Sequence, residues 1–328
     1  MKTKDRVLEL LEQNRGKSVS GEMIAGTLGV SRNAVWKAIN ELRDDGYSID
    51  AVTNKGYCLS NGNDIVSVHG IKPFLSENGS KFADKIRIYK SLESTNKTAK
   101  ELAVAGAEHG TVVISESQTL GRGRHSRSFF STPGGGLYMS IVLRPEMLRF
   151  ENTTSVTAFA AVAVCEAIES VSEQKAKIKW VNDIFIDGKK VCGILTEAVT
   201  DFESGGLEWI VLGIGINVGI RTEDFPEELR HSATSVFPEK SVSGVRNRLA
   251  AEIMNRILGE IPISSEKEIF EKYKARLMML GEKITVIQGE NEYKATAVDI
   301  DGAGHLIVDN ENGEKITLFS GEISIRKD

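Results

Sequence analysis

The first sixty residues place apolar side chains at the spacing of three short helices. Ser20 and Ser31 are positioned as N-caps of the second and third helices, and Gly29 lies in the turn between them. The residues predicted to face inward are Val7, Leu8 and Leu11, then Met23, Ile24, Ala25 and Leu28, then Val35, Ala38, Ile39 and Leu42. Two short helices joined through a glycine turn predict a helix-turn-helix.

The third predicted helix carries polar residues opposite its apolar stripe. Arg32 and Asn33 lie at its N-terminal end, where a recognition helix meets base edges, and Lys37 is placed for a phosphate. Residues 47–59 follow as a short β-hairpin, or wing, with Lys55 at its tip for a second phosphate contact. Winged helices also serve protein contacts, but polar residues at the recognition-helix positions favour DNA.

The middle of the chain alternates strand-like and helical spacing. A polar segment, residues 61–64, is the predicted linker from the head. Predicted strands cover residues 86–89, 111–117, 137–143, 178–180, 184–186, 191–198 and 209–217, and predicted helices cover 94–106 and 153–171. This mixture indicates an α+β domain with a mixed, largely antiparallel sheet.

The C-terminal region alternates like a series of short strands. They cover residues 283–287, 293–299, 306–310, 315–319 and 323–326, and residues 272–280 are predicted to end the helix that leads to them. Such strands predict a small β-barrel. The predicted domains are therefore residues 1–62, 63–278 and 279–328.

The charge and the cysteine content of the chain argue against several classes of protein. The net charge is −5; residues 1–60 hold nine Lys/Arg and eight Asp/Glu, a balance of +1 that leaves −6 for the rest. An acidic body argues against a nucleic-acid enzyme, and DNA binding by the head then depends on a few placed cations and on dimerisation. Cys58, Cys165 and Cys192 are widely spaced, which supports neither disulfides nor a zinc site. We expect a cytoplasmic protein without a membrane segment.

A glycine- and arginine-rich loop follows the second predicted strand. Gly121 and Gly123 alternate with Arg122 and Arg124, and Arg127 follows. Glycines offer backbone amides to an anion, and arginines bind carboxylate or phosphate through two parallel hydrogen bonds. A solvated basic loop and an RNA-binding segment remain alternatives.

Three further motifs indicate a small-molecule site. Asp183 follows Asn182 between two strands and is a candidate Mg²⁺ ligand, although Asn-Asp is also a common turn pair. Lys190 begins a strand in which Val191, Gly193 and Leu195 are predicted to lie in the core, unlike the neighbours of an ordinary surface lysine. Gly213 and Gly215 lie on one face of a strand, leaving room for a flat ligand or for tight sheet–helix packing.

In their order along the whole chain, these motifs resemble the biotin protein ligases. The motifs are Ser-Thr-Asn, Gln-x-x-Gly-Arg-Gly-Arg, Lys-Trp-x-Asn-Asp, Lys-x-x-Gly-Ile-Leu and Gly-x-Gly-Ile-Asn. The added head resembles that of the bifunctional biotin–[acetyl-CoA carboxylase] ligases that are also biotin-operon repressors. The resemblance implies that the C-terminal barrel is of the Src-homology type.

The resemblance also implies site residues. Biotin contacts fall on Ser94, Thr95, Asn96, Gln118, Arg122, Gly123, Arg124 and Lys190. Contacts to ATP or the adenylate fall on Phe129, Asn182 and Asn217, and an Mg²⁺ contact falls on Asp183. The residues implied to be catalytic are Lys190, Arg122 and Arg124.

The implied activity has two steps and a regulatory branch. ATP and biotin form biotinyl-5′-AMP with Mg²⁺, and biotin then passes to a lysine of a biotin carboxyl carrier protein. With the adenylate bound, the protein alternatively dimerises and binds operator DNA. Rival interpretations are a biotin-sensing regulator without ligase activity and a lipoate–protein ligase.

The sequence departs from the family pattern in three places. His125-Ser126 replaces a frequent Arg-Gly, Phe129 replaces a Trp that often stacks on the adenylate, and Val181 replaces a common Pro. Phe129 keeps an aromatic ring with a smaller stacking area. These departures bear on how the glycine- and arginine-rich loop closes.

Overall fold

A computed structural model of the chain describes residues 2–52, 55–124, 127–148, 153–200, 207–239, 244–260, 265–288, 291–319 and 322–325. The helices are α1 Thr3–Gln13, α2 Gly21–Leu28, α3 Arg32–Asp44, α4 Val68–Ile71, α5 Glu77–Ser80, α6 Thr95–Val104, α7 Thr153–Val171, α8 Val245–Glu260 and α9 Glu266–Arg276. The strands are β1 Ile49–Val52, β2 Gly56–Leu59, β3 Ile86–Tyr89, β4 Thr111–Ser115, β5 Gly136–Leu143, β6 Lys177–Lys179, β7 Asp183–Ile186, β8 Lys189–Thr200, β9 Leu207–Asn217, β10 Lys283–Gln288, β11 Asn291–Ile300, β12 Leu306–Asn310, β13 Lys315–Leu318 and β14 Glu322–Ile325.

The head is a winged helix-turn-helix, as predicted. Ser20 and Ser31 cap α2 and α3 through their hydroxyl oxygens, which accept hydrogen bonds from backbone amides three residues ahead. Gly29 ends α2 in the left-handed region, with φ 65°. The antiparallel strands β1 and β2 form the wing, and the helices enclose an apolar core of their own.

Met23 was predicted to face inward, and that prediction is wrong. Its side chain is 62% exposed, whereas Ile24 and Ala25 are buried and Leu28 packs against them. With about 100° per helical residue, positions 24, 25 and 28 share one face and position 23 lies on the opposite side. The core therefore fixes a helix phase that leaves Met23 in solvent.

The central sheet is mixed, as predicted. Its seven strands lie in the order β3-β4-β5-β9-β8-β7-β6; β3 and β4 are parallel, and the other neighbours are antiparallel. One face is apolar and belongs to the large core that α7 and α8 cover, because alternate residues such as Leu212, Ile214 and Ile216 all point to it. The opposite face carries Gly213 and Gly215, and α6 packs beside them. Any ligand site on the sheet therefore lies on this second face.

Helices α7, α8 and α9 bury the apolar face of the sheet. Among the described residues, only α7 is long and apolar enough to cross a membrane, and 72% of an 18-residue stretch of this helix is buried inside the protein, as in a core helix. Helix α8 was not predicted, although its Ile253 and Ile257 are fully buried. Helix α9 ends at Arg276, so residues 277–280 do not continue the predicted helix.

The C-terminal strands form one antiparallel sheet in the order β13-β12-β11-β10-β14. Its buried residues, such as Ile284 and Val308, are continuous with the central core. Trp180 of the central region donates a hydrogen bond from its indole nitrogen to the Gly304 carbonyl, 3.0 Å away. Closure of this sheet into a barrel stays a prediction, and Arg326 lies outside the described residues.

The predicted linker is held by polar contacts rather than left free. Asn63 is 4% exposed, and its carbonyl accepts a hydrogen bond from Arg15 of α1 at 2.6 Å. Asp64 accepts from the Arg246 guanidinium of α8 at 2.7 Å, and a second Arg246 nitrogen lies 2.7 Å from Glu116 after β4. The head is thus attached to the central region through charged groups around Arg246.

Candidate functional site

The glycine- and arginine-rich loop folds back on itself beside the sheet. The Gly123 amide donates to the Arg127 carbonyl at 2.7 Å, and the Phe129 amide donates to the Gly121 carbonyl at 2.9 Å. A Cβ atom at position 121 would lie 2.4 Å from the Phe129 carbonyl oxygen, so the close turn requires glycine there. Residues 121–123 of the predicted loop therefore lie beside residues 127–129.

A polar cluster lies where α6 begins. The Gln118 side-chain oxygen accepts from the Thr95 amide at 2.8 Å, and the Ser140 hydroxyl donates to the Asn96 side-chain oxygen at 2.7 Å. Ser94 lines the same small cavity. The structure thus brings the predicted biotin residues Ser94, Thr95, Asn96 and Gln118 together, and it adds Ser140, a polar residue on an otherwise apolar strand.

Asn96 is oriented by residues that the sequence analysis missed. Its amide nitrogen donates to Glu197 at 2.8 Å, and the other Glu197 oxygen lies 2.5 Å from the Lys100 ammonium. A Cβ atom at Gly213 would lie 2.0 Å from the Asn96 side-chain oxygen. Glycine on this strand face therefore provides the room in which Asn96 lies.

Phe129 lies against the same glycine face. A Cβ atom at Gly215 would come within 2.8 Å of the Phe129 ring. The Tyr138 ring meets Phe129 edge-on, with centroids 6.3 Å apart, and burial raises the pKa of Tyr138 to about 12. Tyr138 is therefore a neutral donor, and it donates to the Thr132 carbonyl at 3.1 Å.

The start of β8 contains a β-bulge that aims Lys190. Phe185 pairs with Lys190 while Ile184 pairs with Cys192, so Val191 is the extra residue. Val191 and Cys192 are both in the core, contrary to simple alternation. Lys190 consequently points to the same face as Gly193, where an added Cβ would lie 3.4 Å from the Lys190 ammonium. Gly193 therefore lies on the face of Lys190, and the prediction that Gly193 is a core residue is wrong.

Five cationic side chains line one cavity of about 270 Å³: Arg122, Arg124, Arg127, Lys179 and Lys190. The Lys190 ammonium lies 2.7 Å from an Asp183 carboxylate oxygen. Arg124 donates to the Asn182 side-chain oxygen at 3.2 Å, and Arg122, about half exposed, lies 3.3 Å from Glu93. The predicted residues that line this cavity are Arg122, Gly123, Arg124, Phe129, Asn182, Asp183 and Lys190.

The fit of the cavity to Mg²⁺ rests on Asp183. Among the described residues, no group of three or more His, Cys, Asp or Glu could hold a metal ion by itself. Mg²⁺ commonly takes one or two carboxylates and completes its shell with phosphate oxygens and water. Asp183 fits as one such ligand, provided that a metal–phosphate complex displaces its contact with Lys190.

Asn217 lies at the end of β9 and is not among the described residues that line the cavity of Phe129 and Asn182. Its amide nitrogen donates to the Thr234 carbonyl at 3.1 Å. Its side-chain oxygen is buried, and among the described residues it has no hydrogen-bond partner. A buried, unpaired acceptor suits a ligand amino group, such as that of adenine. The adenine role of Asn217 stays a prediction.

The structure describes two of the three places where the sequence departs from the family pattern. His125 and Ser126 lie outside the described residues. The Trp180–Val181 peptide is cis, and the Val181 carbonyl accepts a hydrogen bond from the Tyr273 hydroxyl at 2.8 Å. Phe129 keeps an aromatic ring beside the cavity.

The predicted DNA-contacting residues lie on the surface of the head. Arg32, Asn33 and Lys37 are exposed on α3, and Lys55 is exposed at the wing. Trp36, which the sequence analysis did not consider, is 52% exposed on the same helix. The structure thus gathers three of the four predicted residues on one helix and places Lys55 on the wing.

Three family models match the chain. An HTH domain matches residues 3–58, the Biotin/lipoate A/B protein ligase family matches residues 88–217, and the Biotin protein ligase C terminal domain matches residues 279–326. These regions contain the winged head, the central site and the C-terminal sheet.

Full-length relatives and a solved structure agree with these matches. Bifunctional ligase/repressor BirA of Bacillus spizizenii is 36% identical, covering 97% of this chain and 97% of that protein. The Escherichia coli protein of the same name is 28% identical, covering 95% of this chain and 94% of its own. Biotin protein ligase from Aquifex aeolicus, in complex with biotin and ATP, superposes with a TM-score of 0.63 at 30% identity, covering 74% of this chain and 99% of that one. The chain therefore belongs to the biotin protein ligase family, in its bifunctional ligase/repressor form.

Proposed function

We propose that this protein is an ATP-dependent biotin–protein ligase and a biotin-responsive repressor of biotin synthesis genes. The observation that carries the proposal is the junction of two cavities. One is lined by neutral polar groups of Thr95, Asn96 and Gln118, and the other is lined by five cationic side chains. Arg122 and Phe129 line both cavities. Donors and acceptors suit the ureido ring of biotin, and clustered cations suit its carboxylate beside ATP.

The cations neutralise charge during adenylate formation. The biotin carboxylate attacks the α-phosphate of ATP, pyrophosphate leaves, and biotinyl-5′-AMP remains. Lys190, Arg122 and Arg124 hold the negative groups in line and stabilise the added charge at the transition state. Asp183 would hold Mg²⁺, which when bound supplies further neutralisation of the phosphates. A lysine amine of the carrier protein then attacks the activated carbonyl, and AMP leaves.

We also propose three domains, residues 1–62, 63–278 and 279–328, in a cytoplasmic protein. The cysteines at positions 58, 165 and 192 are free, which fits a reducing compartment. The carrier substrate proposed is the biotin carboxyl carrier protein of acetyl-CoA carboxylase.

Substrate choice tests the ligase proposal directly. The purified protein is incubated with ATP, Mg²⁺ and either biotin or lipoate, with and without a biotin carboxyl carrier domain. We expect pyrophosphate release and an acyl-adenylate with biotin only, followed by biotin on the carrier lysine, because the polar cluster matches the ureido ring. Mass spectrometry of the carrier and thin-layer chromatography of the adenylate measure both steps. Adenylate from lipoate alone would make the protein a lipoate ligase, and no adenylate at all would leave a regulator without ligase activity.

The repressor proposal predicts a ligand-dependent dimer on DNA. The head carries a balance of only +1, so one head neutralises few phosphates and two heads are needed for tight binding. Sedimentation should show a homodimer with biotin and ATP, and footprinting on DNA upstream of biotin synthesis genes should show protection under the same conditions. Equal protection with and without biotin would contradict the biotin response.

A further inference from the structure

Trp36 is a large apolar side chain on the polar face of α3. The other large apolar residues of this helix, Val35, Ile39 and Leu42, are buried in the core of the head. Trp36 is instead 52% exposed, whereas Trp180 and Trp209 are only 4% and 2% exposed. The indole ring of Trp36 is therefore not part of the apolar core of the head.

The neighbours of Trp36 identify the surface that it belongs to. At about 100° per residue, Trp36 lies between Arg32 and Asn33 around the helix, with Lys37 beside Asn33. All four side chains are exposed in the first two turns of α3. A recognition helix inserts these turns into the major groove. The surface is therefore an apolar ring surrounded by hydrogen-bond donors and positive charge.

This chemistry matches a DNA groove better than a second copy of the chain. The groove presents phosphates and base acceptors to Arg32, Asn33 and Lys37, and a thymine presents its C5-methyl group to an apolar side chain. Two copies that met through this surface would bring Arg32 and Lys37 of each against those of the other. Charge thus favours a polyanion as the occupant.

We propose that Trp36 is a specificity-determining residue that packs against the C5-methyl group of one thymine in each half-site of the bound DNA. The inference rests on the proposed repressor function and deepens it. Arg32 and Lys37 supply affinity through hydrogen bonds and charge, and Trp36 selects thymine over other pyrimidines at its position.

Deoxyuridine substitution tests the contact, since uracil is thymine without the methyl group. Duplexes are first selected from a random pool with the full chain, biotin, ATP and Mg²⁺. Each thymine of the selected duplex is then replaced in turn by deoxyuridine, and Kd is measured for the wild type, Trp36→Ala and Met23→Ala. We expect one position per half-site where deoxyuridine weakens wild-type binding about fourfold, the effect of burying one methyl group. Trp36→Ala should bind the thymine duplex more weakly and show no deoxyuridine penalty there.

The controls distinguish failure of the Trp36 contact from failure of the repressor function. Met23→Ala removes another exposed apolar side chain of the head but should keep the wild-type pattern, and all variants should form adenylate at the wild-type rate. If Trp36→Ala retains the same deoxyuridine penalty or the wild-type Kd, the inference is wrong while the repressor function stands. If the wild type selects no duplex, both are overturned.

Fluorescence quenching checks which occupant covers the ring. Trp36 should dominate iodide quenching, since the other two tryptophans are buried. We expect biotin and ATP alone to leave the quenching unchanged and the selected duplex to reduce it. Loss of quenching on ligand addition without DNA would assign Trp36 to a contact between copies and overturn the proposal.

Discussion

Replacing Lys190 with alanine is expected to lower the rate of biotin-dependent adenylate formation by about a hundredfold or more. The bulge at the start of β8 aims this ammonium at the ligand face, and its backbone is anchored on both sides: its amide donates to the Ser232 carbonyl and its carbonyl accepts from the Thr234 amide, each at 2.9 Å. A cation held in this way needs little rearrangement when charge develops on the phosphate. Biotin-dependent ATP–pyrophosphate exchange measures the loss.

A neighbouring lysine supplies the control. Lys189 precedes Lys190 in β8 but is not among the described residues that line the cavity, so Lys189→Ala should exchange at the wild-type rate. Arg124→Gly, which removes the contact with Asn182, should impair either formation or retention of the adenylate. Exchange and adenylate retention at wild-type levels in both Lys190→Ala and Arg124→Gly would refute the catalytic assignment of the cavity.

The strands and the longest helix of this protein could be predicted because local patterns of apolar residues mark them. The predicted helix over residues 153–171 coincides with α7, and the alternation of residues 210–217 matches the two faces of β9. The apolar run of α7, in which residues 155–165 are all buried, and the alternation of residue types between the two faces of β9 are both local properties of the sequence.

The site could be predicted only in parts, because it is assembled by long-range strand pairing. Ser140 and Glu197 meet Asn96 because β5 and β8 both pair with β9, an arrangement that local spacing does not reveal. The bulge at Val191 also breaks the alternation that would place Lys190 on the core side. Family resemblance pointed to Lys190, but its orientation required the register of the sheet.

Helix α8 escaped prediction because polar residues occupy buried positions in it. Arg246 and Asn247 are 3% and 1% exposed, and both serve the segment that joins the head to the central region. Asn247 accepts from the Ser67 amide at 2.9 Å and donates to the Ile65 carbonyl at 2.8 Å. Their polar side chains interrupt the apolar stripe by which an amphipathic helix is identified.

Arg246→Ala is expected to lower the free energy of unfolding by about 3 kcal/mol. This value is at the lower end of the range for breaking a buried ion pair, because the side chains of Asp64 and Glu116 are partly exposed. The guanidinium lies 2.7 Å from carboxylate oxygens of both Asp64 and Glu116 and also donates to the Gly136 carbonyl. Its removal leaves two carboxylates and a carbonyl without that donor. Urea unfolding at neutral pH, followed by tryptophan fluorescence, measures the loss.

The dependence on pH distinguishes lost charge pairing from lost packing. Burial already raises the pKa of Asp64, and Arg246 opposes that shift. Without Arg246 the pKa of Asp64 rises further, so the folded variant takes up a proton at a higher pH than the unfolded chain does. The variant should therefore regain stability relative to the wild type as pH falls through this raised pKa. Arg248→Ala, an exposed change on the same helix, should lose less than about 0.5 kcal/mol. A deficit of equal size at acidic and neutral pH would mean that Arg246 acts through packing and not through its carboxylate partners.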